Sequence, residues 1–183
     1  MYYVRDMSLR DVERKWLQMF NVGDAVFYGV HGVCVVEDIS KKEIFGSVKD
    51  YYTLRPVYTN RSKVFVPVER AEAAVDLRKV ITKEDVAEII EQLKTAESIW
   101  IDDDAARKQK FGEILKHGTG KELASLIKTV YEKRNVLISE KKKMHAADER
   151  AFSDAEKILY EEFAFVLGIE KEQVASYITE KLA

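Results

Sequence analysis

Three histidines, one cysteine and a Gly118-Thr119-Gly120-Lys121 stretch are the residues best equipped for chemistry. His31, His117, His145 and Cys34 could serve a zinc ion or a nucleophile–base pair, but their separations match no ligand or catalytic spacing. The glycine-rich stretch reads like the end of a phosphate loop. However, Leu115 stands where the first glycine of that motif belongs, and Glu122 replaces the hydroxyl that would hold magnesium. A helix end running straight into the next helix cap accounts for it better. No Gly-x-Ser-x-Gly elbow occurs. Asp102-Asp103-Asp104 could attract a cation, yet a helix dipole favours acidic residues at its start without one. Cys34 sits in the apolar run Val33-Cys34-Val35-Val36, the setting of a buried, inert thiol. The expectation is a binding protein rather than an enzyme, with no catalytic residue, metal, cofactor or small-molecule substrate.

Binding chemistry is better represented. Trp100 lies in Ser98-Ile99-Trp100-Ile101, between two predicted helices. Its indole could project from between those helices, or its apolar flanks could bury it; both readings stand. Arg107, Lys108 and Lys110 share one predicted helix, and Lys128, Lys133 and Arg134 a later one. Lys141, Lys142 and Lys143 form a basic run beyond it. These cations could meet phosphate, or simply solvate a helical surface. Residues 82–183 hold 17 Lys and Arg against 21 Asp and Glu, a net of −4. Any DNA affinity must therefore be local, weak and salt-sensitive.

The elements that must position these residues follow two patterns. From Phe20 to about Val80, short β-branched and aromatic runs alternate with turn signals. The pattern predicts strands near Ala25–Tyr28, Val33–Ser40, Tyr51–Pro56 and Lys63–Val66, separated by Gly29–Gly32, a Phe45-Gly46-Ser47 turn and Thr59-Asn60-Arg61-Ser62. Short strands at regular spacing suggest a small antiparallel barrel. Pro56 and Pro67 fall at strand ends, where a missing N–H does least harm. Tyr51 and Tyr52 should face opposite sides, one in the core and one free for the surface. His31 is read as serving the Gly29–Gly32 corner.

From Thr82 onward the pattern is helical. Thr82 with Asp85 starts a helix running to about Ala96, and Asp102 caps a second that stops at Gly118. Thr119 with Glu122 starts a third, Ser153 with Glu156 a fourth that stops at Gly168, and the last begins near Lys171. Leu123, Leu126, Ile127, Val130 and Tyr131 recur at helical spacing, so the helices should pack as a bundle. The domain division expected is a leader over 1–18, a barrel over 19–80 and a helical domain over 81–183. Leu9, Val12 and Trp16 could line a short helix in the leader, but a flexible leader is the preferred reading.

The chain has 183 residues, a net charge of −2 and 46% hydrophobic content, enough for a sizeable core. A single cysteine fits a reducing compartment. No run approaches the roughly 20 apolar residues of a membrane span. The expected location is the cytoplasm, with no membrane partner.

Val22-Gly23-Asp24, Tyr28-Gly29-Val30-His31-Gly32, Tyr51-Tyr52-Thr53-Leu54-Arg55-Pro56 and Val64-Phe65-Val66-Pro67 resemble the RNA polymerase-interacting domain of the CarD/CdnL/TRCF family. The helical half resembles that of its stand-alone members, through Trp100, Arg107 and Phe111, Ile114-Leu115-Lys116-His117-Gly118 and Glu156-Lys157-Ile158-Leu159. The resemblance covers about Met19 to Gly168. It implies an α+β protein, a Tudor-like antiparallel β-barrel followed by an all-α helical bundle. It also implies a bacterial transcription regulator that docks on the RNA polymerase β subunit by extending a sheet. The helical domain would then hold the open complex by touching promoter DNA at the upstream edge of the bubble, without reading its sequence. Docking would fall to Lys42, Ile44, Lys63, Val64 and Phe65. DNA contact would fall to Trp100 as a minor-groove wedge, with Arg107, Lys108, Lys110, Lys128, Arg134, Lys141 and Lys142. A second reading is a Tudor-like adaptor for another protein or RNA, its helical half serving as a partner or dimer surface.

Overall fold

A computed structural model describes residues 20–59, 63–71 and 77–182. The expectations for residues 1–18 lie outside them. The first half is one antiparallel sheet in the order β4-β3-β2-β1-β5. Its strands are β1 (Ala25–Tyr28), β2 (Val33–Ile44), β3 (Ser47–Pro56), β4 (Val64–Pro67) and β5 (Leu77–Lys79). A short helix, α1 (Val68–Ala71), joins the edge of this sheet.

The sheet is open rather than a closed barrel, which corrects the expectation. Among the described residues, β4 and β5 end the strand order and do not pair with each other. Four- and three-residue edge strands offer too little backbone to close the stagger that a barrel requires. The sheet nonetheless curls over one core. Phe20, Val26, Cys34, Val36, Tyr52, Leu54, Val66 and Leu77 form a single buried cluster that draws on both edge strands.

Register explains most of this burial. Tyr52 pairs with Ile39 on one side and Val66 on the other, in the row facing the core. Tyr51 is buried as well, so neither tyrosine is left for the surface. Its partner is Pro67, where α1 begins and packs against β3. The β2–β3 hairpin continues four pairs beyond Tyr51, from Lys41↔Asp50 to Ile44↔Ser47. This extension was not legible, because six of its eight side chains are polar and none of the eight is buried, so it carries no apolar alternation. Phe45 and Gly46 close it with φ of 51° and 73°, the left-handed pair a two-residue hairpin loop requires.

The second half consists of α2 (Lys83–Thr95), α3 (Asp104–His117), α4 (Gly120–Ser139), α5 (Ala146–Leu167) and α6 (Lys171–Leu182). Thr82/Asp85 and Thr119/Glu122 form the expected capping boxes of α2 and α4. Asp103, not Asp102, caps α3 by accepting from Ala106 N–H at 2.8 Å. Helix α5 starts at Ala146, well before the expected Ser153. A Ser-x-x-Glu signal can sit inside a helix when upstream residues are held by packing. Here Ala151 and Phe152 join the core, and Asp148 is buried with an ionic partner.

The two halves meet in a packed seam. Phe27 and Val33 of the sheet belong to the same buried cluster as the helix residues Phe111, Leu126, Leu159 and Phe163. Glu162 is completely buried and accepts from Arg78 Nη1 at 2.5 Å, Arg78 Nη2 at 2.8 Å and Ile81 N–H at 3.1 Å. The Arg78 guanidinium also lies 4.0 Å from the Phe27 ring centre. Gly32, at φ 66°, brings its backbone so close to α5 that an added Cβ would lie 2.8 Å from Glu161 Oε2.

Candidate functional site

Two surfaces collect the residues of interest. The first is the β4 edge. β4 pairs only with β3 among the described residues, leaving its outer backbone groups without a strand partner. Phe65, opposite Thr53, stands 46% exposed beside that edge. Lys42 Nζ lies 5.1 Å from its ring centre and 3.6 Å from Asp38 Oδ2. The Asp38 carboxyl is held below the usual range by the Ser40 hydroxyl first, with Lys42 adding to it.

A register shift between Val36 and Asp38 makes Glu37 the extra residue of a bulge. Bulges re-aim side chains, and Glu37 reaches Lys63 Nζ and Arg55 Nε, both at 2.7 Å. Lys63, and then Arg55, keep its carboxyl well below the usual range. Lys42, Lys63, Val64 and Phe65 are thus gathered along one border. Ile44 is not; it sits at the far tip of the hairpin, next to the fully exposed Phe45. An edge with unpaired N–H and C=O groups, flanked by cations and one half-exposed ring, can accept an incoming strand.

The second surface lies where the α2–α3 connector meets α3, α4 and α5. Trp100 is half-buried. Its indole N–H donates to Asp102 Oδ1 at 3.1 Å. Arg107 Cζ is 4.2 Å, and Lys133 Nζ 5.0 Å, from its ring centre. Arg107 itself is 3% exposed. Its Nε and Nη2 donate to the two Asp148 oxygens, each at 3.0 Å. Nη2 also donates to Asp104 Oδ1 at 2.6 Å, and Nη1 to Ile101 O at 2.6 Å and Asp102 O at 3.3 Å. A guanidinium has five N–H donors, and all are used inside the protein. Asp148 first, and Asp104 after it, raise the Arg107 pKa further above its ordinary value.

The other expected DNA contacts divide in two. Lys128 Nζ donates to Leu93 O and Ala96 O, both at 2.8 Å, and so closes the C-terminal end of α2. Arg134 forms a two-bonded pair with Glu149 and lies 4.4 Å from the Phe152 ring centre. Lys142 pairs with Glu140 at 2.8 Å. Lys108, Lys110 and Lys141 are exposed, with no ion pair among the described residues. Asp148, Thr129 and Glu37 carry much of the geometry and had no local signal. Their partners lie 41, 30 and 18 residues away in sequence.

Both surfaces fall within segments that match known families. Residues 20–81 match the CarD-like/TRCF RID domain, and residues 85–179 match the CarD C-terminal domain. The chain belongs to the CarD-like family. It is an RNA polymerase-interacting transcription regulator in its broad class. A relative from Bacillus subtilis (strain 168), named "Putative transcription factor YdeB", is 23% identical over 159 residues, 87% of this chain and 99% of that protein. The β4 edge belongs to the RID match, and the cluster from Trp100 to Asp148 belongs to the CarD C-terminal match. Among the described residues, no helix is long and apolar enough to cross a membrane.

Proposed function

We propose that this CarD-like protein docks on the RNA polymerase β subunit by adding one of that subunit's strands to β4. It acts by binding alone, in the cytoplasm where transcription runs, with residues 20–81 as the docking unit. The observation that carries the reading is the outer side of β4, unpaired among the described residues and bordered by Lys42, Lys63, Val64 and Phe65. Backbone bonds along such an edge supply affinity, while the flanking ring and cations select the partner.

The helical half then holds the promoter open complex by touching DNA near the upstream edge of the bubble. Trp100 is the wedge, and Lys108, Lys110 and Lys141 meet the backbone phosphates. Acidic neighbours keep this contact weak, so it depends on the polymerase to bring the DNA close. A ligand shifts an equilibrium only by its differential affinity for the two states. About 1.4 kcal/mol of preference for the open state gives a tenfold shift.

The test uses the full chain. The β subunit should co-purify with it, and Lys42→Glu or Lys63→Glu should reduce that capture. Open complexes should live longer in its presence, and Trp100→Ala should abolish the gain. A full-length protein that ignores polymerase in a pull-down ends the docking reading. Capture of another partner through β4, with open complexes unaffected, would point to a Tudor-like adaptor instead.

A further inference from the structure

We propose that Arg107 is a positioning residue that holds the Trp100 indole at a fixed angle. This rests on the reading that Trp100 meets DNA. Trp100 lies in an irregular connector, where an indole would ordinarily sample several rotamers. Here three helices pin it. On the N-terminal side, Ile99 N–H donates to the buried Thr129 hydroxyl of α4 at 3.0 Å. On the C-terminal side, Ile101 C=O accepts from Arg107 Nη1 at 2.6 Å. The ring itself rests 4.2 Å from the Arg107 guanidinium carbon, a cation–π distance.

The guanidinium cannot turn, because Asp148 of α5 holds it through two parallel bonds of 3.0 Å. With the indole N–H held by Asp102 Oδ1 at 3.1 Å, the tilt of the ring face is set through Arg107 by a residue 48 positions along the chain, as read from Trp100 to Asp148. An aromatic group already fixed loses little conformational freedom on entering a base step, so its contact is stronger than that of a free one. The arrangement also separates Arg107 from the exposed lysines. With all five donors engaged, it has none for a phosphate.

The experiment uses full-length protein with Trp16→Phe, which leaves Trp100 as the only indole emitter. The probe is a duplex with a mismatched bubble, titrated by anisotropy across a salt series. Arg107→Lys keeps the charge but loses the planar fork. It should raise acrylamide quenching of Trp100 about twofold and weaken DNA binding about fivefold, the scale of coupling between residues in contact. The slope of log affinity against log salt should stay as in the parent. Lys108→Ala, which removes a phosphate contact, should instead reduce that slope by about 1.

If Arg107→Lys does not fold, the paired apolar variant Arg107→Met with Asp148→Leu replaces it. Buried ion pairs usually tolerate such exchange, and the same losses are expected. Unchanged quenching and affinity would overturn the inference, as would a slope reduced by about 1, which would make Arg107 a phosphate contact. Unchanged affinity in Trp100→Ala overturns the underlying reading instead.

Discussion

Glu37 in the sheet and Arg107 in the bundle do the same job in different solvents. Each gathers two opposite charges from separate elements. Glu37 does so at the surface, with Arg55 and Lys63 side chains 51% and 58% exposed. Arg107 does so from the interior: its own side chain and that of Asp148 are 3% and 4% exposed, while its second partner, Asp104, is 64% exposed. The Arg78–Glu162 pair at the seam lies between, at 29% and 0%. Surface pairs compete with water and salt and contribute little. Buried pairs gain little net energy, but losing one partner strands a charge. The ionic contacts beside β4 can therefore break at small cost, whereas the buried ones at the indole-bearing end of the bundle cannot.

That contrast can be broken first at its stiff end. Arg107→Ala should destabilise the protein by about 3–5 kcal/mol, because Asp148 is left buried and unpaired. Urea unfolding followed by circular dichroism gives the value, and a loss under about 1 kcal/mol would remove the distinction. Glu162→Gln should cost less, about 1.5–3 kcal/mol, the scale of a hydrogen bond to a charged group. Arg78 keeps partial access to water, so a loss as large as that of Arg107→Ala would mean exposure does not set the order.

The core beneath the sheet offers a pH test. Burial first, and then Glu161, push the Cys34 thiol from its ordinary 9.0 up to about 11. The raised folded value means its contribution is complete below pH 9 and is lost as pH rises toward 11. Stability of the native protein should therefore fall more steeply over that window than that of Cys34→Ala, and parallel curves would contradict it. Smallest of all is Glu37→Gln, for which no shift in the urea midpoint is expected. Release of Lys63 should appear instead as altered salt dependence of β-subunit capture, measured by pull-down at several ionic strengths.

How much of this could be read in advance depended on distance along the chain. Capping boxes at Thr82 and Thr119, the stop at Gly168 and the strand-end prolines all involve groups within four residues of one another, so local pattern located them. Strands β1 to β4 were legible for the same reason, through alternation, but β5 was not, because its three residues are too few to show a period even though Leu77 joins the core. The long β2–β3 ribbon was not, since neither of its faces is buried.

The candidate residues show the same division. Sequence alone determined the β-then-α order, the apolar faces apart from Tyr131, which is exposed instead of packed with Leu123, Leu126 and Val130, and the identity of the cations that could bind. Only the tertiary structure decided their roles. It opened the barrel into a sheet whose β4 edge has no second strand partner among the described residues, left Lys108, Lys110 and Lys141 to solvent, and turned Lys128 into a helix cap. It also consumed every donor of Arg107. Local pattern reports which side chains are apolar or charged. Whether a charge meets solvent or a buried partner is set by elements that fold together from distant parts of the chain.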